Sequence, residues 1–147
     1  PGQLVISGEK EAVQAVTASV KEAGGRVIPL AVSVPSHSPL MYEAAMKLKA
    51  ELAQVNWQEP LIPVVSNVNA RENGAPDFEE LLAQQLFKPV LWEQSVRYMM
   101  NKADYFVEIG PGSTLSGLIK KIDRHRVLGQ VEDLSSLEKL LKKVESI

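Results

Sequence analysis

Between Tyr105 and Val131 the chain reads strand, tight turn, helix, strand, and that order leaves little choice of fold. Tyr105-Phe-Val-Glu-Ile109 is a short run of aromatic and β-branched residues, the composition of a strand. Gly110-Pro-Gly112 can only turn, and Ser113 is placed to cap a helix ending near Ile122. Arg126 to Val131 is a last strand. Strands joined through helices pair in parallel, so the chain is predicted to be α/β with a mostly parallel sheet.

The rest of the chain keeps the same alternation. Gln3 to Ser7 reads as a buried strand closed by Gly8. From Glu9 to Ala23, the apolar positions Ala12, Val13, Val16 and Val20 lie on one helical face, and Gly24-Gly25 ends the helix. Arg26 to Val32 is a second strand, with Pro29 marking an edge or a sheet exit. A helix follows His37 to about Val55, with Ser38 as cap, Pro39 at a first helical position and a stripe of Met41, Ala44, Ala45, Leu48 and Leu52. Val64-Val65 gives a short strand, and residues 67–76 are turn-rich around Asn73-Gly74. Asp77 with Glu80 predicts a capping box, and Pro89 interrupts the helix it opens. A helix from about Trp92 to Lys102 turns Val96, Met99 and Met100 inward. Ser135 with Glu138 caps a terminal helix whose face is Leu137, Leu140, Leu141 and Val144.

Composition narrows the function classes. The chain has 147 residues, 45% apolar and 23% charged, so a single soluble domain is within reach. A net charge of -2 gives no general attraction to nucleic acid or anionic membrane. The absence of cysteine excludes disulfides, thiolate zinc sites and a cysteine nucleophile. No apolar run approaches the roughly 18–20 residues of a membrane helix. No signal peptide is visible. The chain opens on Pro-Gly-Gln rather than Met, so residue 1 reads as an internal point of a longer polypeptide or a product of processing.

Few residues can carry chemistry. His37 ends Leu30-Ala-Val-Ser-Val-Pro-Ser-His37, at a strand-to-helix junction where α/β enzymes hold catalytic groups. It reads either as a helix-capping or core histidine, or as a general base needing a partner to fix its tautomer. No carboxylate stands beside it in the sequence, though a backbone carbonyl could serve. His125 lies in the charged turn Lys120-Lys-Ile-Asp-Arg-His-Arg126, which reads as a solvated face or as a docking patch for an acidic partner. The two histidines are too differently placed for a metal site. Glu108-Ile-Gly-Pro-Gly112 has the look of a phosphate loop, but it lacks the lysine and spacing of one and is expected to be a structural turn. Asn67 and Gln85 are unremarkable alone, and Trp57 and Trp92 read as packing residues. No Gly-x-Ser-x-Gly occurs, so the chain holds part of an active site rather than all of one.

Taken in order, five stretches resemble the C-terminal half of the malonyl-CoA:acyl carrier protein transacylase family. They are Pro1-Gly-Gln-Leu-Val-Ile-Ser-Gly8, Leu30 to His37 with Leu40-Met41, and Pro63-Val-Val-Ser-Asn-Val68, followed by Gln85-Leu-Phe-Lys-Pro-Val-Leu-Trp92 and Glu108 to Gly112 with Leu115. The resemblance implies a hydrolase-like large α/β domain with a small ferredoxin-like subdomain inserted. Residues 1–32 would then be the second half of the small subdomain, and 33–147 the C-terminal part of the large one. It implies ping-pong transfer of malonyl from coenzyme A to the phosphopantetheine thiol of acyl carrier protein through an acyl-serine. It also implies a cytoplasmic enzyme with no permanently bound cofactor, malonyl-CoA as substrate, and no nucleic-acid or membrane partner.

On this resemblance His37 is the base, and the main-chain carbonyl of Gln85 orients its ring. Arg26, Lys120, Lys121, Arg124 and Arg126 become candidates for docking the acidic carrier. The nucleophilic serine, the arginine for the malonyl carboxylate and the oxyanion-hole loop belong to an N-terminal half that these residues do not include. The chain alone is therefore expected to be inactive. Val34-Pro35-Ser36 before the histidine implies malonyl rather than a bulkier unit. A polyketide-synthase acyltransferase fragment and a non-catalytic module derived from an acyltransferase are the competing readings.

Overall fold

Helix α1 (Lys10–Glu22) ends where the sequence asks it to. Gly24 takes φ 79, and the amides of Gly24 and Gly25 turn back to the carbonyls of Lys21 and Val20 at 2.9 and 2.8 Å. Such a left-handed cap suits glycine because a Cβ there is strained. The structure, a computed structural model, describes residues 2–146. They fall into two compact units, one of residues 3–91 and the other from Trp92 onward.

In the first unit a 3-10 turn, Pro39–Met41, leads into α2 (Tyr42–Leu52), as the Ser38-Pro39 signal predicts. Helix α2 packs on α3 (Ala75–Gln84), and each buries one alanine completely, Ala45 and Ala83. An exposed Lys49–Glu80 ion pair joins the two helices. Between them β1 (Val64–Ser66) pairs antiparallel with β2 (Arg71–Asn73). The polar Arg-Glu-Asn of β2 carries no strand signal. The hairpin is held instead by Asn69, whose side chain bonds the Arg71 amide at 3.1 Å and the Asn73 side chain at 2.8 Å. Trp57 packs edge-on against Phe78, ring centroids 5.9 Å apart, which fits its reading as a packing residue.

Several expectations fail locally. Residues 3–7 and 26–32 form no strand. A strand exists only against a partner that takes its amides and carbonyls, and no described strand pairs with either segment. Val32 instead folds its amide back on the Leu30 carbonyl at 2.9 Å. The Asp77–Glu80 capping box is absent. Gly74 is the N-cap, Asp77 stands inside the first turn, and the Glu59 carboxylate accepts from Ala75 N–H at 3.2 Å.

The second unit contains the strand–helix–strand that the sequence predicts. Helix α4 (Trp92–Met99) precedes β3 (Phe106–Ile109), which reaches parallel β4 (Val127–Val131) through α5 (Thr114–Lys120) and a 3-10 turn at Arg124–Arg126. Helix α6 (Leu134–Val144) packs on β4, closely enough that a Cβ on Gly129 would stand 2.9 Å from a Leu140 methyl. Its capping box is Asp133 with Ser136, not Ser135 with Glu138. The Asp133 carboxylate takes the Ser136 amide at 2.7 Å, and the Ser136 hydroxyl takes the Asp133 amide at 2.9 Å. The same serine lowers the Asp133 carboxyl below its ordinary range.

Candidate active site

His37 sits at the third position of the turn Pro35–Ser38 and takes φ 62. That left-handed conformation is uncommon for any residue with a side chain. Two bonds hold it. The Ser38 hydroxyl, on a residue 1% exposed, donates to the Pro35 carbonyl at 2.7 Å and closes the turn. The His37 amide donates to the Leu86 carbonyl at 2.8 Å and ties the turn to the end of α3. The imidazole is exposed at a cleft of about 490 Å³ lined by His37, Pro39, Tyr42, Phe87, Lys88 and Pro89. Tyr42 meets Phe87 edge-on at 5.3 Å, and the Lys88 ammonium lies 5.8 Å from the Phe87 ring centre.

Gln85 is the C-terminal cap of α3, one residue before the carbonyl that anchors His37. Among the described residues no carboxylate bonds the His37 ring, and no hydrogen bond ends on the Gln85 carbonyl. Ser38 does more than the sequence predicts of it. Expected as a helix cap, its hydroxyl makes no cap bond and pins the histidine turn instead. The prolines on either side, at 35 and 39, are the sequence signal for that tight turn. Asn67, unremarkable in sequence, accepts the Leu91 amide on its backbone carbonyl at 2.8 Å, while its buried side-chain oxygen has no hydrogen-bond partner among the described residues.

The glycine-rich loop is not an anion site. The Glu108 carboxylate occupies the start of α5 itself, taking the amides of Leu115 at 3.0 Å and Ser116 at 2.7 Å. Hydrogen bonding from Ser116, then from Leu115, holds this carboxyl below the usual carboxylate range. Glu132 takes the Gly112 amide at 3.0 Å. The helix start that would greet a phosphate is already filled by the chain's own anions, and Ser113, the expected cap, makes no side-chain cap bond.

The basic residues divide. Arg126 directs its guanidinium inward to the carbonyls of Ala103 and Asp104 at 3.1 and 3.2 Å. Lys120, Lys121 and Arg124 are exposed in the same unit, and Arg26 is exposed in the other. His125 is exposed too, its amide bonded to Asp123 at 2.9 Å.

The chain thus presents a cleft-side histidine on a pinned turn in an α/β fold and carries no nucleophile motif of its own. The acyl transferase domain family matches residues 1–140, and the chain belongs to that family. It is 46% identical over 125 residues to the malonyl CoA-acyl carrier protein transacylase of Escherichia coli K12, covering 83% of this chain and 40% of that protein. The crystal structure of the malonyl CoA-acyl carrier protein transacylase of Clostridium perfringens superposes with a TM-score of 0.89 at 40% identity, covering 95% of this chain and 45% of that one. A malonyl-transacylase solved in complex with its type II polyketide acyl-carrier protein superposes with a TM-score of 0.85 at 38% identity, over 95% of this chain and 45% of that one. The chain thus spans less than half the length of these relatives.

Proposed function

We propose that this chain is the C-terminal part of a malonyl-CoA:acyl carrier protein transacylase, and that His37 is its general base. The observation that carries the reading is His37 itself: an exposed imidazole on a turn fixed from both sides at the mouth of a cleft. A base must be held in place before its proton affinity matters.

The chemistry then runs in two halves. A serine from the N-terminal part attacks the malonyl thioester carbonyl while His37 takes its proton. The tetrahedral adduct collapses, the carbon–sulfur bond breaks, and His37 returns the proton to the departing coenzyme A thiol. Next His37 takes the proton of the carrier's phosphopantetheine thiol, which attacks the acyl-serine. The serine oxygen leaves and regains that proton. His37 ends each cycle as it began, and no permanently bound cofactor is required. The Gln85 carbonyl would fix the ring's tautomer by accepting from Nδ1–H, leaving Nε2 to move the proton.

The need for an N-terminal part is also supported by surface. Counted as two separate domains of about 90 and 55 residues, a chain of this mass would expose about 8,900 Å². It exposes 10753 Å². Residues 1–32 fit the second half of a small inserted subdomain whose missing strands would pair with 3–7 and 26–32. Acyl carrier protein is the acceptor that fits, since a close structural relative was solved with one. A cytoplasmic location is consistent with this role.

The test is malonyl transfer by the chain joined to an acyltransferase N-terminal part. His37→Ala is expected to cut the rate by about 10²–10⁴ with the fold unchanged. A loss under about tenfold would return His37 to a structural role.

A further inference from the structure

We propose that Pro89 is a positioning residue for His37: lacking an amide hydrogen, it keeps the Gln85 carbonyl open to the imidazole. The inference rests on the reading that this carbonyl orients the ring, and it names the residue that makes the carbonyl available.

Helix α3 ends at Gln84, and past it the ladder tightens: the amides of Leu86 and Phe87 turn to the carbonyls of Ala83 and Gln84, three residues back, at 3.3 and 3.1 Å. The Gln85 amide donates to the Leu81 carbonyl at 3.0 Å, and the Lys88 amide donates to the Gln84 carbonyl at 2.8 Å. The next bond in that series would run from residue 89 to Gln85. Pro89 has no N–H to give, and its ring clashes with a helical path at that point. The Gln85 carbonyl is accordingly left outside the ladder, on a residue that is half-buried. The following carbonyl, Leu86, is taken by the His37 amide at 2.8 Å. Pro89 therefore leaves the Gln85 carbonyl without its helical donor, and the carbonyl beside it already holds the histidine backbone. Pro89 also lines the His37 cleft. A half-buried carbonyl needs a donor, and an imidazole N–H on the tethered turn is a fitting one.

An ordinary residue at this position would restore the missing amide in register. It would compete with the imidazole for the Gln85 carbonyl without touching substrate. The defect should therefore fall on proton transfer and leave substrate binding alone.

The experiment uses the full-length enzyme and three forms: wild type, Pro89→Ala, and N-methylalanine introduced at position 89. N-methylalanine lacks both the proline ring and the amide hydrogen. Circular dichroism first establishes that each form is folded. Nitrogen-15 NMR then reads the His37 tautomer, and steady-state kinetics reads kcat and KM. Pro89→Ala is expected to lower kcat about tenfold or more, leave KM for malonyl-CoA unchanged and mix the tautomers. N-methylalanine is expected to restore both kcat and the Nδ1–H tautomer. If wild type shows that tautomer and Pro89→Ala keeps it with full kcat, the role of Pro89 is overturned while the Gln85 reading stands. Equal defects in the alanine and N-methylalanine forms also overturn it, because the ring and not the missing hydrogen would matter. Absence of the Nδ1–H tautomer in wild type would overturn the Gln85 reading and this proposal together.

Discussion

His37 combines a reactive side chain with a backbone conformation that costs about 1–2 kcal/mol for residues other than glycine. The Ser38 hydroxyl and the Leu86 carbonyl offset that cost from opposite sides of the turn. The residue type and the junction are legible in sequence. The left-handed backbone is not, because the modest enrichment of histidine at positive φ is too weak to single out one residue. The basic residues show the same divide. Lys and Arg in a row announce a patch, but in the fold Arg126 is engaged with the Ala103 and Asp104 carbonyls. Arg26 is exposed with no described partner, and on the proposed function it is a candidate to dock the acidic carrier. Arg26→Glu in the complete enzyme is expected to raise KM for carrier protein and leave KM for malonyl-CoA unchanged. Equal effects on both substrates, measured by steady-state kinetics, would contradict a docking role.

Among the elements, helices are legible in sequence and their ends much less so. Apolar spacing survives local detail, whereas a cap is decided by which of several neighbouring polar groups reaches the amides first. Asp133 stands immediately before α6 and displaces the expected Ser135. Glu59 arrives from a loop to serve α3, which no local motif can announce. At α5 the cap is Glu108, from the preceding strand, and its lowered carboxyl has a consequence for acid stability. A carboxyl depressed in the folded state stabilises the fold above its unfolded value, and that contribution disappears as pH falls through the folded value. The window lies below the ordinary glutamate value of about 4.3. Melting curves are expected to show wild type losing stability more steeply than Glu108→Gln across that window. Parallel acid-side slopes for the two proteins would show that Glu108 does not anchor α5. The two strands that do not form have a different cause. Residues 3–7 and 26–32 have strand composition, but a strand is a property of a pair, and composition cannot supply the partner.

For the whole molecule, the burial pattern argues for a covering surface. Among the described residues the buried apolar ones are Ala45, Ala70, Ala83, Val96 and Ile119, with no leucine or aromatic residue among them. Leu4 is 90% exposed and Ile109, within a strand, is 84% exposed. Large apolar side chains in such positions belong against something. The α/β class and the acyltransferase resemblance are legible because motif order survives even when half of a fold is read alone. The extent of each sheet is not, because on the proposed function its edges are completed by an N-terminal part. On the proposed function the base lies in this chain and the nucleophile does not. The direct measurement is brief exposure of the complete enzyme to malonyl-CoA, followed by proteolysis and mass spectrometry to locate the malonyl ester. The expected result is a malonyl group on a serine N-terminal to Pro1, trapped in His37-containing enzyme and strongly slowed in His37→Ala. A malonyl ester on any residue from 1 to 147 would contradict it.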